Sequence, residues 1–351
     1  MIMVGTMVAT LWVIGWAMKV PAAARWNMTA ILLVAVMIGH VILPDGHPLR
    51  MATGGDARLW AIILGFGVLV WGYRKGLAAL KRRAQPTQIG QTATPATKTG
   101  FSDTELDRYA RHIILREIGG VGQKALREAR VLVVGAGGLG APALQYLAAA
   151  GVGTIGVIDD DVVENANLQR QVIHPDRNIG IPKVHSAAEM MRAQNPFITV
   201  RPYHRRLDDA VADELIAEYD VILDGSDNFA TRYLVNAAAV RAAKPLVAAA
   251  ITQWEGQISV YDPARGQPCY ACVFPQAPDP ALVPSCAEAG VIGPLPGVLG
   301  TMMAVEAVKL ITGAGETLAG RLHIYDALYA QSRTIKVSRR SDCAVCGGGA
   351  E

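Results

Sequence analysis

The chain has 351 residues, with 33 Lys and Arg against 30 Asp and Glu, and its 18% charged content lies below the roughly 25% of soluble proteins. The deficit is local: residues 1–73 hold six charges, and the other 278 hold 57, close to 20%. These numbers exclude a wholly soluble enzyme, a disordered chain and a many-helix transporter. A net charge of +3 points to no nucleic-acid partner, and five cysteines make no disulfide scaffold.

From the N-terminus, uncharged runs cover residues 2–18, 26–44 and 59–73. A straight helix needs about 20 residues to cross the hydrocarbon, with about 17 as a lower limit, so the first two qualify. The third is short, but Arg58 and Arg74 flank it and can snorkel, while Trp60, Trp71 and Tyr73 suit the interface. A signal peptide is the alternative for the first run; it lacks the basic n-region, and two more apolar runs follow. About three transmembrane helices are therefore expected in an anchor over residues 1–75. The cluster Arg74, Lys75, Lys81, Arg82, Arg83 sets the next segment in the cytoplasm, giving a multi-pass protein of the inner membrane with its N-terminus outside. Residues 76–100 read as a basic juxtamembrane segment and a flexible linker.

Residues 101–351 form the globular piece. Ser102, Asp103, Thr104 and Glu105 offer helix caps, and the pattern stays helical to Leu126 around a break at Gly119 and Gly120. Strands are expected at 129–134 and 154–158, with a helix at 139–150 between them. Further short apolar runs at 198–202, 221–223 and 246–249 alternate with helical stretches. This pattern predicts an α/β fold: a Rossmann-like sheet with a parallel nucleotide-binding half and helices on both faces. Runs at 257–261, 321–325 and 333–337 suggest a more antiparallel second half.

Gly135, Gly137 and Gly140 satisfy the G-x-G-x-x-G spacing between a strand and a helix, with Gly138 inside the turn. Glycines there let backbone N–H groups approach a phosphate at a helix N-terminus. Asp159 closes the second strand, where a carboxylate can bond ribose hydroxyls. The motif alone fits ATP and NAD enzymes alike, or glycines kept for strand–helix packing. The run from Asn165 to Gln171, including Arg170, and Lys183 after Pro182 then add an amide and two cations, which suit a triphosphate better than a pyrophosphate bridge. Asp227, beside Asn228, follows the 221–223 strand, well placed to hold Mg²⁺. Taken singly, Arg170 and Lys183 read equally as surface cations and Asp227 as a helix N-cap; their order makes the joint reading the better one.

Cys269 and Cys272, with Cys343 and Cys346, form two C-x-x-C pairs, the pattern of a Cys₄ structural Zn²⁺ site. Two redox pairs are the alternative. Cys286 is left single, either an inert small residue or a reactive thiol.

Residues 102–347 resemble the MoeB/ThiF/HesA family, bacterial relatives of the ubiquitin-activating enzymes. The resemblance rests on Arg108 to Arg111 (RYAR), the GAGGLG loop, NLQRQ, GIPK, the SDN triplet, WEGQISVY, the four cysteines and CAEAG, all in the family's order. It implies an adenylyltransferase that uses ATP with Mg²⁺ to activate the C-terminal Gly-Gly carboxylate of a small ubiquitin-like sulfur carrier, for molybdopterin or thiamine sulfur incorporation. By the same resemblance the loop at Gly138 contacts nucleotide and Asp159 holds the ribose. Asn167 and Arg170 lie near the phosphates, within the run that includes Leu168 and Gln169. Lys183 neutralises the polyphosphate, and Asp227 holds Mg²⁺ with Asn228 beside it. Arg111 is similar to an arginine that reaches the partner subunit's ATP, which implies a homodimer. Cys286 falls where some members link to the carrier and others have no evident need of a thiol. No rhodanese-like domain follows Cys346, so a separate persulfide donor is expected. Two other functions compete: a membrane-tethered, non-catalytic binder of a ubiquitin-like protein, and an NAD(P)-linked oxidoreductase.

Overall fold

The structure is a computed structural model that describes residues 2–54, 56, 58, 60–62, 65–67, 69–70, 72–73, 75, 100–278 and 289–347. The chain divides into two compact units, Met1–Lys98 and Thr99–Glu351.

In the first unit, helices Ile2–Ala17 and Ala22–Ile42 are followed by a short helix, Pro48–Thr53. Trp12 ties the first two together: its Nε1 donates to Thr29 Oγ1 at 3.1 Å, and its ring meets Trp26 edge-on at 5.1 Å. Ala24–Ile42 is long and apolar enough to cross a membrane. The first predicted span is shorter than expected, a helix of 16 residues, because Lys19 turns the chain at positive φ and Pro21 opens the next helix. The third, 59–73, lies partly outside the described residues; those described within it are helical. Three transmembrane helices are thus not supported by the described residues.

The second unit opens with a capping box. Ser102 N–H donates to Glu105 Oε2 at 2.8 Å while Ser102 Oγ accepts from Glu105 N–H, starting helix Asp103–Ile113. The expected break at Gly119 and Gly120 falls instead at residues 114–118. Gly119, at φ +60°, supplies the change of direction and the second helix, Gly119–Glu128, resumes on it at once.

Eight strands follow: β1 Arg130–Val134, β2 Thr154–Ile158, β3 Thr199–Tyr203, β4 Val221–Asp224, β5 Leu246–Ile251, β6 Glu255–Tyr261, β7 Arg321–Asp326 and β8 Gln331–Lys336. They form one sheet in the order β3-β2-β1-β4-β5-β6-β7-β8. Pairing is parallel from β3 through β5 and antiparallel from β5 to β8, as the sequence predicts. Helices cover both faces of the parallel half, so its strands are buried on both sides. In β1, Val131 and Val133 enter one core with Leu144, Leu147, Val184 and Met191, while Leu132 and Val134 enter the other with Ile216, Tyr219 and Val235.

Helix Pro294–Thr312, which the strand pattern did not anticipate, is also long and apolar enough to span a membrane. It lies instead on the sheet: Leu295, Leu299, Met303 and Ala307, four residues apart, are buried in the core, whereas Val298 and Val305 are exposed. The strand order reverses between β1 and β4, and that reversal opens a crevice at their C-terminal ends.

Candidate active site

The crevice holds a cleft of about 360 Å³. Its floor is the turn from β1 into helix Gly140–Ala150. Gly135 sits at φ +91°, and a Cβ on Gly140 would lie 1.9 Å from the Gly135 carbonyl oxygen. No side chain fits there, so Gly140→Ala should cost more than about 3 kcal/mol, read as a large fall in the thermal midpoint. Among the described residues, the N–H groups of Gly137 and Gly138 have no acceptor in the chain. They stand at a helix N-terminus, where an anion is favoured.

Asp159 lines the cleft at the end of β2. Its Oδ2 accepts Ala136 N–H at 2.7 Å and its Oδ1 accepts Asp161 N–H at 2.8 Å. Burial raises its carboxyl above the usual range, while Lys183 and the two N–H bonds pull it back. Each oxygen keeps a free lone pair, so the carboxylate can still receive ribose hydroxyls.

The cations line the same cleft. Arg170 Nη2 donates to Asn167 Oδ1 at 2.9 Å, so Asn167 orients the guanidinium from behind. Lys183 is buried, and its Nζ sits 2.7 Å from Asp161 Oδ2. The Asp161 side chain is 66% exposed and can swing away when a phosphate competes for the ammonium.

Opposite them, the turn after β4 presents Asp227. Asp224 Oδ1 accepts from Ser226 N–H and Oγ–H at 2.9 and 2.6 Å, and Arg232 Nη2 donates to the Ser226 carbonyl at 2.5 Å. Asn228, not Asp227, caps helix Phe229–Arg241, its Oδ1 accepting Thr231 N–H at 2.9 Å. Asp227 is left exposed between two anchored neighbours, its carboxylate without a partner among the described residues.

Gly135, Gly137, Gly138, Asp159, Arg170, Lys183, Asp227 and Asn228 thus line one cleft. Gly140 lies beneath it; Asn167, Leu168 and Gln169 do not line it. Gln171 and Ser226, which the sequence motifs include without a role, line it too, and sequence reasoning missed Arg205, Arg206, Thr231 and Arg232, which also do. Arg205 and Arg206 follow the end of β3, and every post-strand segment on this edge faces the crevice, a signal that was available. Arg111 lies outside the cleft. Tyr109 is 4% exposed, docked with its Oη accepting from Asn195 at 2.8 Å, and two residues on around the helix Arg111 is exposed. Cys286 lies outside the described residues. A larger hollow, about 790 Å³, opens near Gln267, Arg321 and Lys336 at the other end of the sheet, with none of these motif residues.

The four knuckle cysteines converge. Sγ separations are 3.8 Å for Cys269–Cys272, 3.6 Å for Cys269–Cys343 and 3.4 Å for Cys272–Cys346, and all four are buried. A tetrahedral Zn²⁺ with bonds of about 2.3 Å has S···S edges of about 3.8 Å, so the set fits that ion. Arg340 N–H donates to Cys272 Sγ at 3.5 Å, the outer support a thiolate ligand needs.

The ThiF family pattern matches residues 109–345. Among curated proteins, the chain is 52% identical over 246 residues to the SAMP-activating enzyme E1 of Haloferax volcanii, covering 70% of this chain and 90% of that one. It is 51% identical over 251 residues to the sulfur carrier protein adenylyltransferase of Thermus thermophilus, covering 70% and 93%. Among solved structures, E. coli MccB with ATP matches at a TM-score of 0.61 and 24% identity, covering 70% of this chain and 75% of that chain, a likeness of fold. With a family match over two thirds of its length and relatives above 50% identity, the chain belongs to the ThiF family.

Proposed function

We infer that the protein is an adenylyltransferase that activates the C-terminal Gly-Gly carboxylate of a ubiquitin-like sulfur carrier with ATP. The observation that carries this reading is one cleft lined by the loop glycines, Arg170, Lys183 and Asp227, in which the Gly137 and Gly138 N–H groups and the Asp227 carboxylate have no partner among the described residues. The carrier carboxylate attacks the α-phosphorus, the bond to the bridging oxygen breaks, and pyrophosphate leaves with its electron pair. No general base is needed, since a carboxylate with a pKa near 4 is already ionised at neutral pH. The chain supplies position and charge: the glycine loop holds phosphate oxygens, Asp159 the ribose, and Arg170 and Lys183 the charge growing on pyrophosphate. Asp227 would hold Mg²⁺, which supplies further charge neutralisation on the phosphates. Zn²⁺ on the four cysteines would be structural.

A homodimer fits the exposed Ile114 and Val121, 72% and 85% accessible, beside the outward-facing Arg111. The sulfur reaches the activated carrier from a separate persulfide donor. The first unit we read as a membrane anchor, with the basic cluster after it holding the catalytic unit on the cytoplasmic side; the apolar Ala24–Ile42 helix supports this. Residues 100–351 alone should then remain in the supernatant after ultracentrifugation, with the full chain in the membrane pellet; a full chain in the supernatant overturns the anchor.

Intact-mass analysis of a Gly-Gly-ended carrier, quenched after incubation with ATP and the protein, should find the carrier heavier by one adenylyl group, an AMP less one water. A carrier amidated at its last glycine should stay unchanged; adenylylation of both would contradict carboxylate activation.

A further inference from the structure

The glycine loop is held by Asp159, which lines the cleft, and by His174, which lies outside it. Ala136 has both backbone groups taken by side chains. Its N–H donates to Asp159 Oδ2 at 2.7 Å, and its carbonyl is 2.9 Å from His174 Nε2. His174 is 5% exposed. A carbonyl only accepts, so Nε2 carries the proton. Nδ1 of the neutral ring then accepts from Ser186 Oγ–H at 3.0 Å. Ser186 Oγ in turn accepts from Asn178 Nδ2 at 3.0 Å, and Asn178 Nδ2 also donates to Glu189 Oε2 at 2.9 Å. The relay runs one way, from Asn178 through Ser186 and His174 to the loop, with every proton placed.

We propose that His174 is a positioning residue for adenylylation, setting the orientation of the glycine loop that receives the ATP phosphates. In a trans peptide the carbonyl and the following N–H point in opposite directions. Holding the Ala136 carbonyl on His174 therefore turns the Gly137 N–H to the other side of the chain, and Gly137 lines the cleft whereas His174 does not. The proposal rests on the ATP reading of that cleft.

The relay keeps this order of donors and acceptors only with a neutral ring: a proton on Nδ1 would leave the Nε2–H bond to Ala136 in place but turn Nδ1 from acceptor to donor towards Ser186. A proton on Nδ1 would face Ser186 Oγ, already an acceptor for Asn178, and the hydroxyl would lose its own acceptor in a buried site. Burial holds the His174 pKa below its ordinary 6.5, although the bond to the Ala136 carbonyl favours the charged ring; Lys183, at the start of the adjoining helix, opposes the charge as well. Asp159 faces the loop from β2 but is engaged by Ala136 and Asp161. Glu189 stands behind Asn178, and Arg170, four residues before His174, lines the cleft. The native state therefore resists the proton that the unfolded chain takes up. The contribution of the relay is complete above pH 6.5 and declines as the pH falls through the lower native value.

The test uses the full chain with two variants, following ATP binding by calorimetry, carrier-dependent exchange of pyrophosphate into ATP, and thermal melting. His174→Phe keeps the volume without a donor. His174→Gln places a non-titrating N–H near the position of Nε2. Loss of one positioned hydrogen bond should raise the KM for ATP about tenfold in His174→Phe, and His174→Gln should recover most of it. In the wild type, kcat/KM for ATP should fall as the pH drops through the native His174 value, which lies lower than the ordinary 6.5, and His174→Gln should lose that acid limb. An unchanged KM in a folded His174→Phe, or an acid limb retained in His174→Gln, overturns the proposal; the second result decides even where the Phe variant does not fold. A wild-type chain that binds no ATP defeats the adenylylation reading itself, an outcome distinct from normal ATP binding by every variant.

Discussion

Asp227→Ala is expected to lower carrier-dependent pyrophosphate exchange by about 10²–10³-fold, the usual cost of removing one group aimed at transition-state charge. The fold should survive. Asp227 is exposed and makes no hydrogen bond within the described residues, so truncation removes no packed contact. The turn is held on either side by Asp224, through Ser226 N–H and Oγ–H, and by Asn228, which caps the following helix. An unchanged melting temperature with lost exchange is the expected pair of results. Full exchange in Asp227→Ala would remove Asp227 from the Mg²⁺ site.

Cys269→Ser should produce the largest loss of stability. Purified protein should hold about one Zn per chain, and the variant should lose it together with much of its thermal stability. Metal binding in such sites contributes about 10–16 kcal/mol of apparent free energy in zinc-finger peptides. The physical reason is the distance in sequence that the ion bridges: Cys269 and Cys343 are 74 residues apart. The knuckle is also tied to the catalytic side, since Tyr270 N–H donates to Asn236 Oδ1 at 2.8 Å on helix Phe229–Arg241. That helix is capped by Asn228, next to Asp227. Metal loss should therefore weaken exchange as well as stability, although no zinc ligand lines the cleft. A metal-free domain that melts at the same temperature would contradict the zinc assignment.

The parallel half was legible because its strands are buried on both faces and read as short apolar runs; 154–158 coincides with β2 to the residue. The glycine loop was legible because steric demand leaves only glycine at Gly140. What escaped was tertiary in origin. Helix Pro294–Thr312 starts with Pro294, Pro296 and Gly297, residues poor in helix propensity. Proline is tolerated in a first turn, however, and the remainder is fixed by packing on the sheet. Gly119 and Gly120 looked like a helix break because glycine lowers propensity; the chain uses Gly119 for its left-handed φ and begins a helix on it. Within the site, the cleft-lining cations Arg170 and Lys183 were legible by order, but Asn167 proved to orient Arg170 rather than line the cleft. Arg232 could not be read at all, because its role depends on a contact back to Ser226 made only when the helix after β4 folds over the turn.

On the proposed reading, this cleft activates the C-terminal carboxylate of a carrier with ATP. Exchange of labelled pyrophosphate into ATP by the full chain, measured with and without a Gly-Gly-ended carrier, tests it most directly. Exchange should require the carrier, disappear when its last two glycines are removed, and fall sharply in Arg170→Ala. Exchange that is absent with every Gly-Gly-ended carrier supplied, in a chain that nevertheless binds both ATP and carrier, would contradict it.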